Sequence, residues 1–114
     1  MLLLDKITND PYQTQTVVLP DGNSFILTLY FAPMQYAWNI TELTWNDFTI
    51  KGFRITNQPN MLQQWKNLIP FGLACFSNED REPTLQNDFS SGQSKLYVLT
   101  SEEVEEYTEY LKSV

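Results

Sequence analysis

The segment from residue 12 to residue 32 constrains the fold more than any other part of the chain. Two runs rich in β-branched and aromatic residues, 12–19 (YQTQTVVL) and 24–32 (SFILTLYFA), flank the sequence Pro-Asp-Gly-Asn at 20–23. An Asp-Gly pair between two apolar runs is a strong hairpin signal, because both residue types tolerate positive φ. The sequence therefore predicts an antiparallel hairpin here, with both faces of the second strand partly covered.

Two further runs continue the β pattern. Residues 36–43 (YAWNITEL) and 48–55 (FTIKGFRI) carry apolar side chains at alternating positions, and a turn-like Asn-Asp pair separates them. Glycine inside a strand often marks a β-bulge, so Gly52 is the expected position of one. The spacing of these four runs is typical of a β-sandwich or barrel.

The second half of the chain has a different sequence pattern. Residues 60–67 (NMLQQWKN) predict a short helix capped by Asn60, with Met61, Leu62 and Trp65 on one face. Short apolar runs at 71–76 and 94–100 predict two more strands, joined by a long polar loop over 78–92.

The C-terminus carries the clearest helix signal. Thr100 and Glu103 have capping-box spacing, and Val104, Tyr107 and Leu111 follow at helical intervals, with Tyr110 extending the stripe. We therefore expect one mostly-β (α+β) domain over residues 1–114, an antiparallel β-sandwich or barrel. Its β-rich core spans about residues 10–100, followed by an acidic helix at about 101–113.

Composition narrows the function classes. Hydrophobic residues make up 42% of the 114 residues, which predicts a single domain with a real core. The net charge of −7 argues against direct sequence-specific nucleic-acid binding, because affinity for nucleic acids depends on Lys and Arg side chains that neutralise phosphates. No apolar run approaches the roughly 20 residues of a membrane span. The opening MLLLDK is too short for a secretory signal, and one cysteine permits no internal disulfide, so we expect a protein that is not exported classically.

Catalytic machinery is not recognisable in the sequence. The chain has no histidine, so neither Cys75 nor any serine has the usual base, and the usual nitrogen and sulfur ligands of zinc are missing. Its four glycines are scattered, unlike those of a phosphate-binding loop. We therefore expect no enzyme, no cofactor and no metal site, and a binding or structural module instead.

The loop at 78–92 (NEDREPTLQNDFSSG) gathers Glu79, Asp80, Glu82 and Asp88 around Arg81. Their spacing matches no EF-hand loop. A hydrolase or metal-dependent enzyme using these carboxylates remains an alternative, which would require their convergence in one cleft and a strongly raised pKa on one of them. The favoured interpretation is structural: Arg81 pairs with a carboxylate such as Asp88 and holds the loop in one shape.

Two other groups of residues are candidates for binding. The helix glutamates, among them Glu102, Glu103 and Glu106, form either a solvated face or a contact for a basic partner. The tryptophans are expected in the core or at an interface, and the alternative is a small carbohydrate-binding or adhesion module that uses Trp38, Trp45 and Trp65.

Three stretches together resemble a known family: VVLPDGNSFILTLYF, FRITNQPNMLQQWKNLIPFGLACFS and REPTLQNDFSSGQSKLYVLT. They are similar to the small baseplate plug proteins of contractile-tailed bacteriophages. The shared features are the aromatic hairpin strand, a tryptophan strand and three short apolar segments. Trp38 marks the tryptophan strand. The three apolar segments are the turn Asn60-Met61-Leu62, the strand entry 69–72 (IPFG), and the strand residues Leu96, Tyr97 and Val98. The resemblance covers about residues 10–100.

The resemblance implies a structural virion protein at the centre of a tail baseplate. The expected partners are other baseplate, hub or tail-tube proteins, together with further copies in a homo-oligomeric ring. The family has no catalytic residues to transfer. The implied location is the virion, after assembly in the host cytoplasm. In such an assembly we expect the 78–92 loop to contact neighbours, with Arg81 and Asp88 fixing it, and charge reversal at Arg81 to impair assembly more than folding.

Overall fold

The computed structural model describes residues 1–113, which form seven strands and one α-helix in a sandwich-like arrangement. The strands are β1 (Leu2–Leu3), β2 (Tyr12–Val18), β3 (Ser24–Ala32), β4 (Ala37–Trp45), β5 (Phe48–Arg54), β6 (Gly72–Ser77) and β7 (Ser94–Leu99), and the helix is α1 (Ser101–Lys112). The mostly-β fold class is confirmed. Val114, the last residue of the predicted domain, lies outside the described residues.

Every strand pairing is antiparallel. The large sheet is a meander in the order β2-β3-β4-β5, and the small sheet has the order β1-β7-β6. Strand β1 has only two residues, and the sequence did not predict it. Among residues 1–113, no helix combines the length and apolarity of a membrane span.

The predicted hairpin is confirmed as β2-turn-β3. Leu19 N donates to Asn23 O at 2.7 Å, and Gly22 N donates to Leu19 O at 3.0 Å, so three residues form the loop. Only Gly22 of these three has positive φ, at 92°. Pro20 and Gly22 thus stand at the two positions of a three-residue turn that suit proline and glycine.

The core lies between the two sheets. Phe25 of β3 stacks on Phe71, the residue before β6, with ring centroids 4.3 Å apart, and so ties the large sheet to the small one. Leu27 and Leu29 of β3 and Leu73 of β6 are fully buried. Each such side chain contributes roughly 1.5–3 kcal/mol through burial of apolar surface. On the opposite face of β3, Thr28 is buried and Ile26 is 46% exposed, so the expectation that both faces are partly covered is confirmed.

Gly52 does not mark a bulge in its own pairing, contrary to the prediction. Strands β4 and β5 keep one register on both sides of Gly52. The irregularity lies on the other side of β4, where the pairing with β3 shifts between Thr28 and Leu29 and leaves Thr41 as the extra residue. Gly52 lies across from this site with φ of 69°.

The prediction of a helix over 60–67 is also wrong, since only a 3₁₀ turn forms, at Gln63–Trp65. Asn60 does not cap a helix. Its Oδ1 accepts from Leu62 N at 3.0 Å and from Leu73 N at 3.1 Å, so it joins this segment to β6. The buried amide is used for a tertiary link that the local pattern does not reveal.

Helix α1 begins as predicted. Thr100 and Glu103 form a reciprocal capping box. Val104 is buried against Ala74 and Leu99, but Leu111, further along the predicted stripe, is exposed. The helix is therefore attached to the small sheet mainly through its first turns.

Candidate interaction surfaces

The predicted pair in the 78–92 loop is confirmed as a two-pronged ion pair. Arg81 Nη2 donates to Asp88 Oδ1 at 2.7 Å, and Nη1 donates to Oδ2 at 3.1 Å. The backbone amides of Thr84 and Leu85 both donate to Asp88 Oδ2 at 2.9 Å. Asp88 is only 1% exposed. Burial alone would raise its pKa, but the hydrogen bonds from Arg81 and the two amides outweigh burial and lower the pKa.

The same loop packs over the core. Trp38 Nε1 donates to Leu85 O at 3.0 Å, and the ring of Phe89 meets Trp38 edge-on at 5.6 Å. Glu82 accepts from the backbone amide of Asn57 at 2.8 Å. The ion pair between Arg81 and Asp88 therefore fixes the shape of this loop. The inner side of the loop packs on Trp38, and its outer side is exposed.

The outer tip of the loop is conformationally unusual. Glu79 and Asp80 are consecutive, exposed and at positive φ, 58° and 56°. Arg81 N donates to Asn78 O at 3.3 Å and closes the turn. Non-glycine residues rarely adopt this conformation. The turn therefore presents two carboxylates at a cost in backbone energy.

The carboxylates of this loop differ in their surroundings. Asp88 and Glu82 accept hydrogen bonds inside the fold, whereas Glu79 and Asp80 stand at its surface. Among the described residues, no group of three or more His, Cys, Asp or Glu side chains is placed to hold a metal ion. The raised pKa that the hydrolase alternative requires is not found at Asp88, whose pKa is lowered.

The three candidate glutamates of α1 have two different environments. Glu103 accepts from Thr100 N at 3.0 Å and from the Met1 ammonium at 2.9 Å. Burial would raise the pKa of Glu103, but these two donors outweigh it and lower the pKa. Glu102 and Glu106 are exposed and line an open groove of about 790 Å³. The structure therefore leaves Glu102 and Glu106 available to a partner and engages Glu103 within the chain.

The three tryptophans do not form one aromatic platform. Trp38 is fully buried, so it has no surface on which a sugar could stack. Trp45 packs edge-on against Phe71, and Trp65 packs against Phe53, with ring centroids 6.5 Å and 5.8 Å apart. Trp45 and Trp65 are half-buried. Each tryptophan has different aromatic neighbours.

The outward side of β2 and β3 is a surface that the sequence interpretation missed. Its eight residues include no Asp, Glu, Lys or Arg, and we call this surface the β2–β3 outer face: Tyr12, Thr14, Thr16, Val18, Ser24, Ile26, Thr28 and Tyr30. Val18 is 64% exposed and Ile26 is 46% exposed. The signal was present in the sequence, because neither of the two runs, 12–19 and 24–32, contains Asp, Glu, Lys or Arg.

Comparison with protein-family models gives no match, and comparison with curated proteins gives none either. The resemblance to baseplate plug proteins therefore rests on the quoted sequence motifs.

Proposed function

We propose that this chain is a structural component of a phage tail baseplate, either a plug or a protein associated with the tube or hub. It acts through protein–protein contacts with other tail proteins and with further copies of itself in a ring. The family resemblance supports this assignment, and so does one structural observation, the β2–β3 outer face.

The β2–β3 outer face has the chemistry of a contact surface. Exposed apolar patches rimmed by polar residues mark interaction sites in soluble proteins, and the centres of interfaces are depleted in charge. The chain as a whole carries a net charge of −7, yet this face has no charged residue. A partner that covers Val18 and Ile26 therefore buries no charged residue of β2 or β3.

The 78–92 loop supplies a second, more polar contact in this proposal. The clamp between Arg81 and Asp88 fixes the loop, so a partner does not have to order it on binding. The exposed turn at Glu79 and Asp80 projects negative charge toward a neighbour, as do Glu102 and Glu106 of α1. A partner that meets these groups would be basic.

Light scattering on the purified chain, alone and mixed with baseplate, hub and tail-tube proteins, tests the assignment. We expect a ring or a stable complex, and we expect the chain to be found by mass spectrometry in purified tails. A monomer that binds none of these proteins and is missing from tails would contradict the proposal.

A matched pair of variants tests the surface. Ile26→Lys places a charge in the β2–β3 outer face, whereas Leu68→Lys makes the same kind of change at another exposed aliphatic residue. We expect Ile26→Lys to abolish the ring or the complex with tail proteins, and Leu68→Lys to preserve it. Circular dichroism should show that both variants are folded. Equal binding by the two variants would remove this face from the assembly contact.

A further inference from the structure

An open groove lies on the outer side of the large sheet, beside the loop that joins β3 to β4. It has a volume of about 490 Å³, which falls within the range of roughly 300–1,000 Å³ for small-molecule sites. Its lining comes from the end of β3, from residues 33–35 of the loop, and from neighbouring positions of β4 and β5. We call it the β3–β4 groove.

An irregular stretch of the sheet forms one side of the β3–β4 groove. Thr41 is the extra residue in the pairing of β4 with β3, and Gly52 of β5 lies across from it. Both residues line the groove. A Cβ built on Gly52 would meet no described heavy atom within 4 Å beyond its chain neighbours, so the space above Gly52 is open. Bulges are frequent next to functional sites, and a glycine inside a strand often marks a place where a ligand approaches the backbone.

The loop on the other side of the groove is closed by its own backbone and exposes its side chains. Gln35 N donates to Ala32 O at 3.1 Å, and Pro33 has a fixed φ. Tyr36, the residue before β4, has a φ of 50°, which is rare for an aromatic residue. Met34 is 92% exposed. Backbone strain of this kind is concentrated at functional sites, so the loop gives a second indication that the groove binds a ligand.

The side chains along the groove are uncharged and of two kinds. Tyr30 offers an aromatic ring on a residue that is 40% exposed, and Met34 adds apolar surface. Gln35 and Asn39 offer amides, each with two donor hydrogens and one acceptor oxygen, and Thr41 offers a hydroxyl. None of the eight described lining residues is Asp, Glu, Lys or Arg, although charged residues make up 18% of the chain.

The ring and one amide stand side by side. Tyr30 and Asn39 are direct partners across β3 and β4, so their side chains project from the same side of the sheet. The Cβ atoms of such partners lie about 4.5–5.5 Å apart, so one small ligand can contact both. Thr41 Oγ1 donates to Thr28 O at 3.4 Å, which keeps its oxygen available as an acceptor. Arg54, the partner of Asn39 on β5, is outside the lining.

We propose that the β3–β4 groove binds a neutral saccharide. A sugar ring has an apolar C–H face, which packs on an aromatic ring, and hydroxyl groups, which amides bind as donors and acceptors. Tyr30 supplies the ring, and Asn39 supplies the amide beside it. An anionic ligand would meet no cation in the lining, and a cationic ligand would meet no carboxylate. A purely apolar ligand would leave the amides without partners.

The saccharide site is separate from the other surfaces of the molecule. None of the three tryptophans lines the groove, so it is not the tryptophan platform expected for a carbohydrate-binding module. Tyr30 also belongs to the β2–β3 outer face, but Ile26 lies four residues away along β3, about 13 Å at the usual rise of a strand. Saccharide binding therefore goes beyond the tail assignment and does not depend on it.

An NMR titration of the full chain tests the groove directly. The ¹⁵N-labelled protein is titrated with neutral tetrasaccharides of glucose, mannose, galactose and N-acetylglucosamine, each to about 20 mM, which reveals dissociation constants in the millimolar range. We expect at least one of them to shift the side-chain amide signals of Gln35 and Asn39 and the backbone amide of Gly52, and to reach saturation. Absence of these shifts with all four sugars would overturn the proposal. Tighter binding of a galacturonic acid tetramer, or saturation by an uncharged peptide but by no sugar, would also overturn it.

Matched substitutions locate the effect in the groove. Tyr30→Ser removes the ring and Asn39→Ala removes the amide, and we expect each to weaken saccharide binding by at least about tenfold. Tyr30→Phe keeps the ring and should retain binding, as should Tyr110→Ser, which makes the same change at an exposed tyrosine of α1. The backbone amide spectrum shows whether each variant is folded. Full binding by Tyr30→Ser, or equal weakening in Tyr110→Ser, would contradict the proposal. Complex formation with tail proteins is tested separately, by Ile26→Lys.

Discussion

Asp88 is the residue on which the shape of the 78–92 loop depends. Its carboxylate accepts from Arg81 and from the amides of Thr84 and Leu85. We expect Asp88→Ala to lower the free energy of unfolding by about 2–4 kcal/mol, because two backbone amides lose their acceptor and a buried site is emptied. Chemical denaturation measures this. Asp47→Ala, at an exposed carboxylate, should change stability by no more than about 0.5 kcal/mol.

The lowered pKa of Asp88 also predicts a pH dependence with a definite sign. The folded pKa lies below the unfolded value of about 3.9, so the folded state favours the charged form. This contribution is complete above the unfolded pKa and is lost as pH falls through the folded pKa. We expect Asp88→Asn to flatten the fall in stability below about pH 5, measured by denaturation at several pH values. An unchanged slope in Asp88→Asn would contradict this assignment.

The turn at Glu79 and Asp80 is a place where sequence and backbone disagree. Both residues have left-handed φ, which asparagine and glycine adopt at lower cost. We expect Glu79→Asn with Asp80→Gly to raise the free energy of unfolding by about 1 kcal/mol. Asn87→Gly, at an exposed loop position without positive φ, is the control and should give no gain. If the native pair is retained for contact, the stabilised variant should bind tail proteins less well.

At the scale of elements, the start of β6 depends on a close fit with Asn60. A Cβ built on Gly72 would lie 2.6 Å from Asn60 Oδ1, which accepts from Leu62 N and Leu73 N. We expect Gly72→Ala to cost about 2–3 kcal/mol, because the buried amide must move and loses those hydrogen bonds. In an Asn60→Ala background the same change should cost much less, and a double-mutant cycle measures the difference. Additive costs would contradict the proposed clash.

The sequence pattern predicted the elements whose formation depends on residues close together in the sequence. Strands β2 to β5 follow from alternation and from turn residues such as Gly22, and the start of α1 follows from its capping box. Strand β1 escaped because two leucines have no periodicity and their partners lie in β7. The expected central helix failed because Asn60 bonds to β6, a contact between segments that the local pattern does not contain.

The candidate surfaces likewise include features that the sequence could predict and features that depend on tertiary packing. The pairing of Arg81 with Asp88 was predictable, since the two residues are close in sequence and opposite in charge. The cover that Leu85 and Phe89 form over Trp38 was not, because it depends on where β4 lies relative to the loop.

At the scale of the whole molecule, the exposed carboxylates of α1 and of the turn at 79–80 lie on other elements than the β2–β3 outer face. Glutamates line the groove beside α1, and two acidic residues form the turn at 79–80, whereas the β2–β3 outer face is uncharged. Two copies of a chain with net charge −7 repel each other over distances comparable to the Debye length. Copies that assemble into a ring therefore meet most favourably through the uncharged face.

This separation predicts how salt acts on self-association. Raising ionic strength from about 0.05 M to about 0.5 M shortens the Debye length and screens the repulsion between copies, while apolar contacts are not weakened. We expect the dissociation constant of the self-complex to fall with salt, measured by sedimentation or light scattering. Glu102→Gln with Glu106→Gln should imitate part of this effect at low salt. If salt instead dissolves the ring, the exposed glutamates of α1, and not the β2–β3 outer face, make the contact between copies.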